Sequence, residues 1–396
     1  MTIKQLLTLT FAILTTGLSY AKPFIPVDDK QILERLPVQR FQTRERTAIK
    51  ALRNRVTTDP QDWQAVSQLA QYYIELAQSQ ADPRYMGYAQ AILKPWWATA
   101  QPSTQALILR AIIRQNAHDF SGANEDLERI LSLQPDHYQA NFIKATIATV
   151  QGDYLTAIRS CQRLIRHSSM IIGLICQSTP ASLSGKAETS YQLLRQILLS
   201  SSSLPEKEQR WAWTSLAEIA WRTGKYASAD KHFKTAMQLN SLDMYLRRTY
   251  ADFLLQQHRP AEVIKLIGKN IASDALLLRL TLAEQMLNSE KLDNHIMVLR
   301  ERFQANRKRG STLHQGDEAR FVLHLLKRPY AALQLARQNW QVQREPVDTV
   351  ILLQSAIATN DVKTVAEIKQ WLVKHGTEDV LIDQILATHE SSGYEI

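Results

Sequence analysis

An all-α solenoid of stacked helix pairs is the fold class this sequence predicts. The first observation is a lattice of small residues. Ala89, Ala123, Ala157, Ser190, Ala229, Val263, Met297, Ala332 and Ala366 recur at steps of 33 to 35 residues, with one longer step of 39. A period of this size marks a repeat built from one pair of helices, which cannot bury its apolar face until neighbours stack on it. The second observation is composition. Of 396 residues 45% are apolar and only 12 are glycine. Helix formers are abundant and alternating strand-type runs are few. In such an array each repeat touches only its neighbours, so the length implies one elongated body rather than several globular domains.

The elements follow in order. Residues 1–21, MTIKQLLTLTFAILTTGLSYA, read as an export signal. Lys4 supplies the positive start, Leu6 to Leu18 an apolar segment too short to span a bilayer, and Ser19-Tyr20-Ala21 small residues before a cleavage site. The mature chain is expected to begin near Lys22 without stable membrane insertion, in the periplasm or outside the cell. Residues 22–58 form an arm punctuated by Pro23, Pro26 and Pro37, then a basic helix over Thr43–Val56. Residues 59–376 carry the array. Its first pair uses Trp63 to Tyr73 and Tyr85 to Leu93, followed by a Pro95-Trp96-Trp97 linker. The next pairs are Gln105–Ala117 with Ser121–Leu133, Tyr138–Val150 with Leu155–Ile165, and Ile172–Leu183 with Ala187–Leu199. Ser200 to Ser203 is a loop that explains the 39-residue step. Glu206–Arg222 with Ala227–Leu239, Met244–Gln257 with Ala261–Ile267, and Asp274–Asn288 with Leu292–Gln304 follow. Asn306 to Gly316 reads as a loop. Glu318–Leu326 with Tyr330–Trp340 and Asp348–Ala358 with Lys363–Lys374 complete nine pairs. Residues 377–396 hold a capping helix and tail, because an end repeat needs a polar outer face.

The net charge is +9. Most of the cations are interspersed with acids, as on solvated helix faces, and together with export this argues against nucleic acid as the partner. Export also gives the two cysteines a meaning, since an oxidising compartment permits a disulfide. Cys161 lies in the second helix of one pair and Cys176 in the first helix of the next. Both are seven or eight residues from the turn near His167 and Ser168, and antiparallel neighbours place such residues opposite each other. A Cys161–Cys176 bridge is expected; two buried thiols packed as small apolar groups are the alternative.

The stretch WTSLAEIAWRTGKYASADKHFKTAMQLN resembles the tetratricopeptide repeat, with Trp213, Leu216, Ala217, Gly224, Tyr226, Ala229, Phe233 and Ala236 on the pattern positions. Gly152, Tyr154 and Ala157 keep the same phase, as do Phe120 and Ala123. His258-Arg259-Pro260 and Lys327-Arg328-Pro329 depart from the glycine turn. The resemblance covers roughly residues 60–375. It implies a right-handed superhelical solenoid of about nine repeat-like pairs with a C-terminal capping helix. It also implies a concave groove lined by the first helices. Carried onto this chain, the groove positions are Gln115, Asn116, Phe142, Trp211, Glu218, Trp221, Arg222, Tyr245, Arg248 and Asp252. Aromatic anchors beside arginines are the composition of interface hot spots. Packing of the tryptophans between repeats is the competing reading.

No HExxH, Walker A, GxSxG or GxGxxG motif occurs, and the ten histidines lack metal-ligand spacing. Cys161 has no adjacent base that would make it a nucleophile. No catalytic residue, cofactor or metal is expected. The expected function is a non-enzymatic periplasmic scaffold that holds a protein or extended peptide in the groove, in assembly of an envelope complex. The alternative is a binding module for an anionic envelope polysaccharide or peptidoglycan. A third arrangement lays the arm from Lys22 to Pro37 in the groove.

Overall fold

Local chemistry sets where each helix begins and ends. The computed structural model describes residues 43–80, 83–200, 204–268, 272–308 and 315–391. The chain divides into Met1–Ala48 and Ile49–Ile396. Of the first unit only 43–48 are described, as the start of a helix. The export signal, the proline-punctuated arm, three residues of the serine loop (201–203) and residues 309–314 lie outside the described residues.

Helix α1 covers Thr43–Thr58. The first pair is α2 (Trp63–Gln80) and α3 (Pro83–Ile92), and a short α4 (Lys94–Trp97) leads to α5 (Thr104–Asn116) and α6 (Phe120–Leu133). The third pair is α7 (Tyr138–Val150) with α8 (Tyr154–His167), the fourth α9 (Met170–Ser182) with α10 (Ala187–Ser200). Then come α11 (Glu206–Arg222) with α12 (Tyr226–Leu239), α13 (Met244–Gln256) with α14 (Pro260–Ile267), and α15 (Asp274–Met286) with α16 (Leu292–Lys308). The last pairs are α17 (Gln315–His324) with α18 (Pro329–Val342) and α19 (Pro346–Ala358) with α20 (Val362–His375), before the terminal α21 (Val380–Ser391). Nine helix pairs and no strand are found among the described residues.

Caps account for many of the starts. Ser103, Asp119, Asp153, Asp243 and Asp361 each accept the backbone N–H three residues on, at 3.0 to 3.2 Å, satisfying donors that the first helical turn leaves orphaned. The loop expected over Asn306 to Gly316 is shorter than that. Helix α16 runs on to Lys308 because Arg302 and Asn306 both bond Asp274, at 3.1 and 3.4 Å. Helix α17 already begins at Gln315. The Pro95-Trp96-Trp97 linker is also partly helical, and Trp96 packs on Trp63 with ring centroids 5.0 Å apart.

One backbone feature recurs inside the pairs. His118, Gly152, Gly185, Gly224, His258, Asn288, Lys327 and Asn360 all adopt a positive φ, between 51° and 78°. Each follows the first helix of its pair and turns the chain into the second. The left-handed turn therefore persists where the glycine pattern is lost, with a steric cost of about 1–2 kcal/mol at each non-glycine residue. It also sets the phase of the core. Five residues beyond it lie Ala123, Ala157, Ala229, Val263 and Ala332, all completely buried, and nearly so Ser190 and Val365. That counting corrects two lattice members. In α20 the packed residue is Val365 rather than Ala366. In α16 Met297 is 51% exposed, and Leu299 and Phe303 fill the core instead, because the residues between Asn288 and Leu292 lengthen that turn.

The solenoid does not remain open. Its C-terminal segments seat on the intra-pair turns of earlier repeats. The amide of Arg344 donates to the carbonyl of Val150 at 2.7 Å. The ring of Tyr154 meets Trp371 and His375 edge-on, with centroids 6.2 and 5.4 Å apart. The Thr377 hydroxyl donates to the Leu183 carbonyl at 3.3 Å. Close approach needs glycine here. A Cβ added at Gly152 would lie 3.0 Å from Trp371 Cζ2, and one at Gly185 would lie 3.4 Å from the Gly376 carbonyl oxygen. Val380, at the start of α21, reaches the turn at Gly224. The terminal helix therefore does more than cover the end of the array: its first turn joins the seam.

Candidate functional site

Closure of the seam forms a chamber of about 560 Å³ that stays partly open to solvent, within the range of small-ligand sites. Its lining comes from α11, α13, α15 and α17, with Thr149 of α7 and Thr179 and Leu183 at the end of α9, and from α19 and the start of α21. Leu183, Ile219, Leu255, Val350 and Leu381 give the chamber an apolar lining.

Six of the ten expected groove residues line this chamber: Glu218, Trp221, Arg222, Tyr245, Arg248 and Asp252. The other four lie elsewhere. Phe142 and Trp211 pack edge-to-face, centroids 5.6 Å apart, against the cluster formed by Ala145, Cys161, Leu164 and Cys176. Gln115 is half-buried and Asn116 exposed at the end of α5, away from the chamber. Cys161 and Cys176 form a disulfide with Cα atoms 5.6 Å apart, so neither thiol is free.

The six chamber residues differ in what they leave available. Trp221 donates its indole N–H to Gln256 and packs edge-on against Phe253 at 5.8 Å, so it also ties the fifth pair to the sixth. Arg222 is buried and donates to Ser182 Oγ at 2.7 Å. Asp252 is fully engaged. Arg279 grips it bidentately at 2.8 and 3.0 Å, Arg320 donates to it as well, and Arg279 also reaches Asp317 at 2.6 Å. Burial alone would raise the Asp252 carboxyl, but the two guanidinium groups outweigh it and hold it down at about 2. The quartet is charge-balanced, two arginines against two aspartates, as a buried ionic group must be.

Three residues remain with polar capacity. Tyr245 is 47% exposed although it faces inward, and its hydroxyl donates to Glu218 Oε1 at 2.6 Å. Arg248 stacks over the Tyr245 ring at 5.2 Å and has no ion-pair partner among the described residues. Burial pushes the Glu218 carboxyl up to about 7, against the Tyr245 hydrogen bond and Arg222 that lower it, and Glu345 raises it further. Glu345, Arg320, His324 and Asp379 were missed by the sequence reading. They reach the chamber from the eighth and ninth pairs and the terminal helix, and no repeat position signals a contact made across the superhelix. Asp348, behind Glu345, is likewise raised to about 7 by burial and then by Glu345. Burial holds His324 down at about 4, neutral beside Gln354.

A tetratricopeptide-repeat family model matches residues 108–169. Among solved structures, the human IFIT1 dimer with m7Gppp-AAAA is 11% identical, with 83% of this chain and 86% of that chain covered and a TM-score of 0.44. The P58(IPK) TPR domain is 12% identical, covering 81% of this chain and 95% of that one, with a TM-score of 0.23. No curated protein matches the chain. The matched residues span α5 to α8, and these two helix pairs are similar to tetratricopeptide repeats; the same left-handed turn and buried small residue continue beyond them on the C-terminal side.

Proposed function

We propose that this chain is an exported scaffold that holds a peptide segment of a partner protein inside the chamber, in assembly of an envelope complex. Repeat arrays of this kind are protein-interaction scaffolds. The observation that carries the reading is the convergence of first-helix residues on one partly open, apolar-lined space in which Arg248 and Glu218 have no ion pair among the described residues. Export is supported by the apolar N-terminal segment and by a disulfide, which persists in oxidising compartments. Among the described residues no helix is long and apolar enough to cross a membrane. The alternative, capture of an anionic envelope polymer, would use the basic outer surface instead of the chamber.

The test is a photo-crosslinking residue at Tyr245, compared with one at Tyr330, which is exposed on α18. In intact cells the Tyr245 position should capture a partner protein and Tyr330 should not. Capture from Tyr330 alone, or retention on peptidoglycan that weakens steeply with salt, would overturn the chamber reading. N-terminal sequencing of the mature protein should begin near Lys22.

A further inference from the structure

One continuous stretch of chain closes the chamber. From Gln343 to Val380 it meets the left-handed turns of four successive pairs in order. Gln343 Nε2 lies 3.4 Å from His118 Nε2 at the second pair. Arg344 and Trp371 reach the third, at Val150 and Gly152. Gly376 and Thr377 reach the fourth, at Gly185 and Leu183. Val380 reaches the fifth, at Gly224. Both flanks of this seam line the chamber, with Leu183, Glu218 and Arg222 on one and Glu345, Val350 and Leu381 on the other. Parting the seam therefore opens the chamber along its side.

The seam is held differently from the stacking of neighbouring pairs. The buried core of the ninth pair, with Ile351, Leu352, Leu353, Val365 and Ile368, continues into the eighth through Leu333 and Ala336. It takes no residue from the pairs across the seam. Val342, just before the stretch, packs on the core of α5 to α7, so the seam is firmest at that end. The ion pairs of α20 stay on its own side: Asp361 at its N-cap with Arg337, Lys363 with Glu367, and Lys369 with Glu390. The Tyr154 hydroxyl and the Trp371 indole N–H are buried at the seam without hydrogen-bond partners. Opening gives both to water, which lowers its cost relative to separating two stacked pairs.

Resting on the chamber reading above, we propose that the seam is the chamber's entrance and admits an internal stretch of a partner polypeptide sideways. Residues 344–380 part from the turns at Gly152, Gly185 and Gly224 and close again over the bound stretch. The stacked cores stay intact, and small rotations shared among the third to ninth pairs supply the movement. A rigid ring would take only a chain end, threaded through its open mouth. A parting seam takes a stretch with folded chain on either side of it.

The test reads the seam without a partner. In the unaltered mature protein the Arg344 amide is protected by its bond to Val150. Its hydrogen exchange should be about tenfold or more faster than that of Phe253, in the core of α13, because opening the seam leaves the stacked cores folded. In Ser215→Cys the introduced thiol lies on the chamber wall, at a position only 4% exposed. A polyethylene-glycol maleimide too large for the mouth should label it, about tenfold faster once Gly152→Val is added, since a Cβ there meets Trp371. Gly268→Val has the same positive φ and nothing within 4 Å of its added Cβ, so it should leave the rate unchanged. Thermal unfolding checks that each variant folds; if Gly152→Val does not, the exchange comparison decides alone. Arg344 exchange as slow as that of Phe253, or labelling indifferent to Gly152→Val, overturns the seam entrance while the chamber reading stands. A seam that opens but yields no capture at Tyr245 overturns the chamber reading and with it the polypeptide named here.

Discussion

The backbone N–H of Arg344 donates to the carbonyl of Val150 at 2.7 Å, joining the linker before the ninth helix pair to the end of the first helix of the third. That bond sits in a seam whose neighbours are unevenly satisfied. The Tyr154 hydroxyl and the Trp371 indole N–H are buried there without hydrogen-bond partners, each at a cost of about 1–3 kcal/mol. The seam combines good ring packing with poor polar satisfaction.

Substitution at Trp371 separates those two contributions. Trp371→Phe keeps an aromatic ring beside Tyr154 and removes the orphaned donor, so stability should stay level or rise by about 1 kcal/mol. Trp371→Ala should cost about 2–3 kcal/mol, since the ring is only partly buried. It should also raise hydrogen exchange in α20 and α21. Denaturant unfolding of both variants checks the contrast.

The arginine at the centre of the quartet is the most sensitive single position. Arg279→Met leaves Asp252 and Asp317 without their shared partner, a loss of about 3–5 kcal/mol. In the intact protein the Asp252 carboxyl, at about 2, lies below its ordinary value of 3.8. A depressed acid stabilises the fold above its unfolded pKa, and that contribution disappears as pH falls through the folded one. Acid unfolding should therefore steepen between about pH 4 and pH 2, and Arg279→Met should reduce that steepening, Arg320 alone remaining on Asp252.

Glu218 and Asp348 act in the opposite sense. Both are raised to about 7 from ordinary values of 4.5 and 3.8. The native state then holds protons that the unfolded state has released, so these groups favour folding below about pH 4 and lose that effect as pH rises to about 7. Thermal melts should show higher stability near pH 5 than near pH 7.5. Glu345→Gln removes a neighbouring negative charge and should flatten the slope; an unchanged slope would contradict the role given to Glu345.

Lys327 adopts a φ of 54° on the surface, away from the chamber. Lys327→Gly removes the left-handed strain but adds freedom to the unfolded chain, for a net gain of about 0.5–1 kcal/mol. The same substitution at Lys363, inside α20, should cost about 1 kcal/mol. Chemical denaturation of the two variants distinguishes turn from helix.

The disulfide closes a short loop between α8 and α9, with 15 residues separating its cysteines. Its removal by Cys161→Ala with Cys176→Ala should lower stability by about 3 kcal/mol. A thiol count on denatured, unreduced protein should find none free.

The sequence by itself determined the helix pairs, their order and the disulfide, because all three follow from local spacing. A buried alanine five residues after a left-handed turn is a statement about one repeat, and so is a pair of cysteines equidistant from one turn. The resemblance to the tetratricopeptide repeat placed Glu218, Trp221, Arg222, Tyr245, Arg248 and Asp252 on inward-facing helices. It could not separate the engaged Asp252 from the unpaired Arg248, since the partners of Asp252 lie in the seventh and eighth pairs. Only the tertiary structure decided that the groove is a chamber. That outcome depends on small rotations accumulated from repeat to repeat until Gly152 and Gly185 meet Trp371 and Gly376. Each rotation is set by the packing of a whole helix pair, and no short stretch of residues encodes their sum.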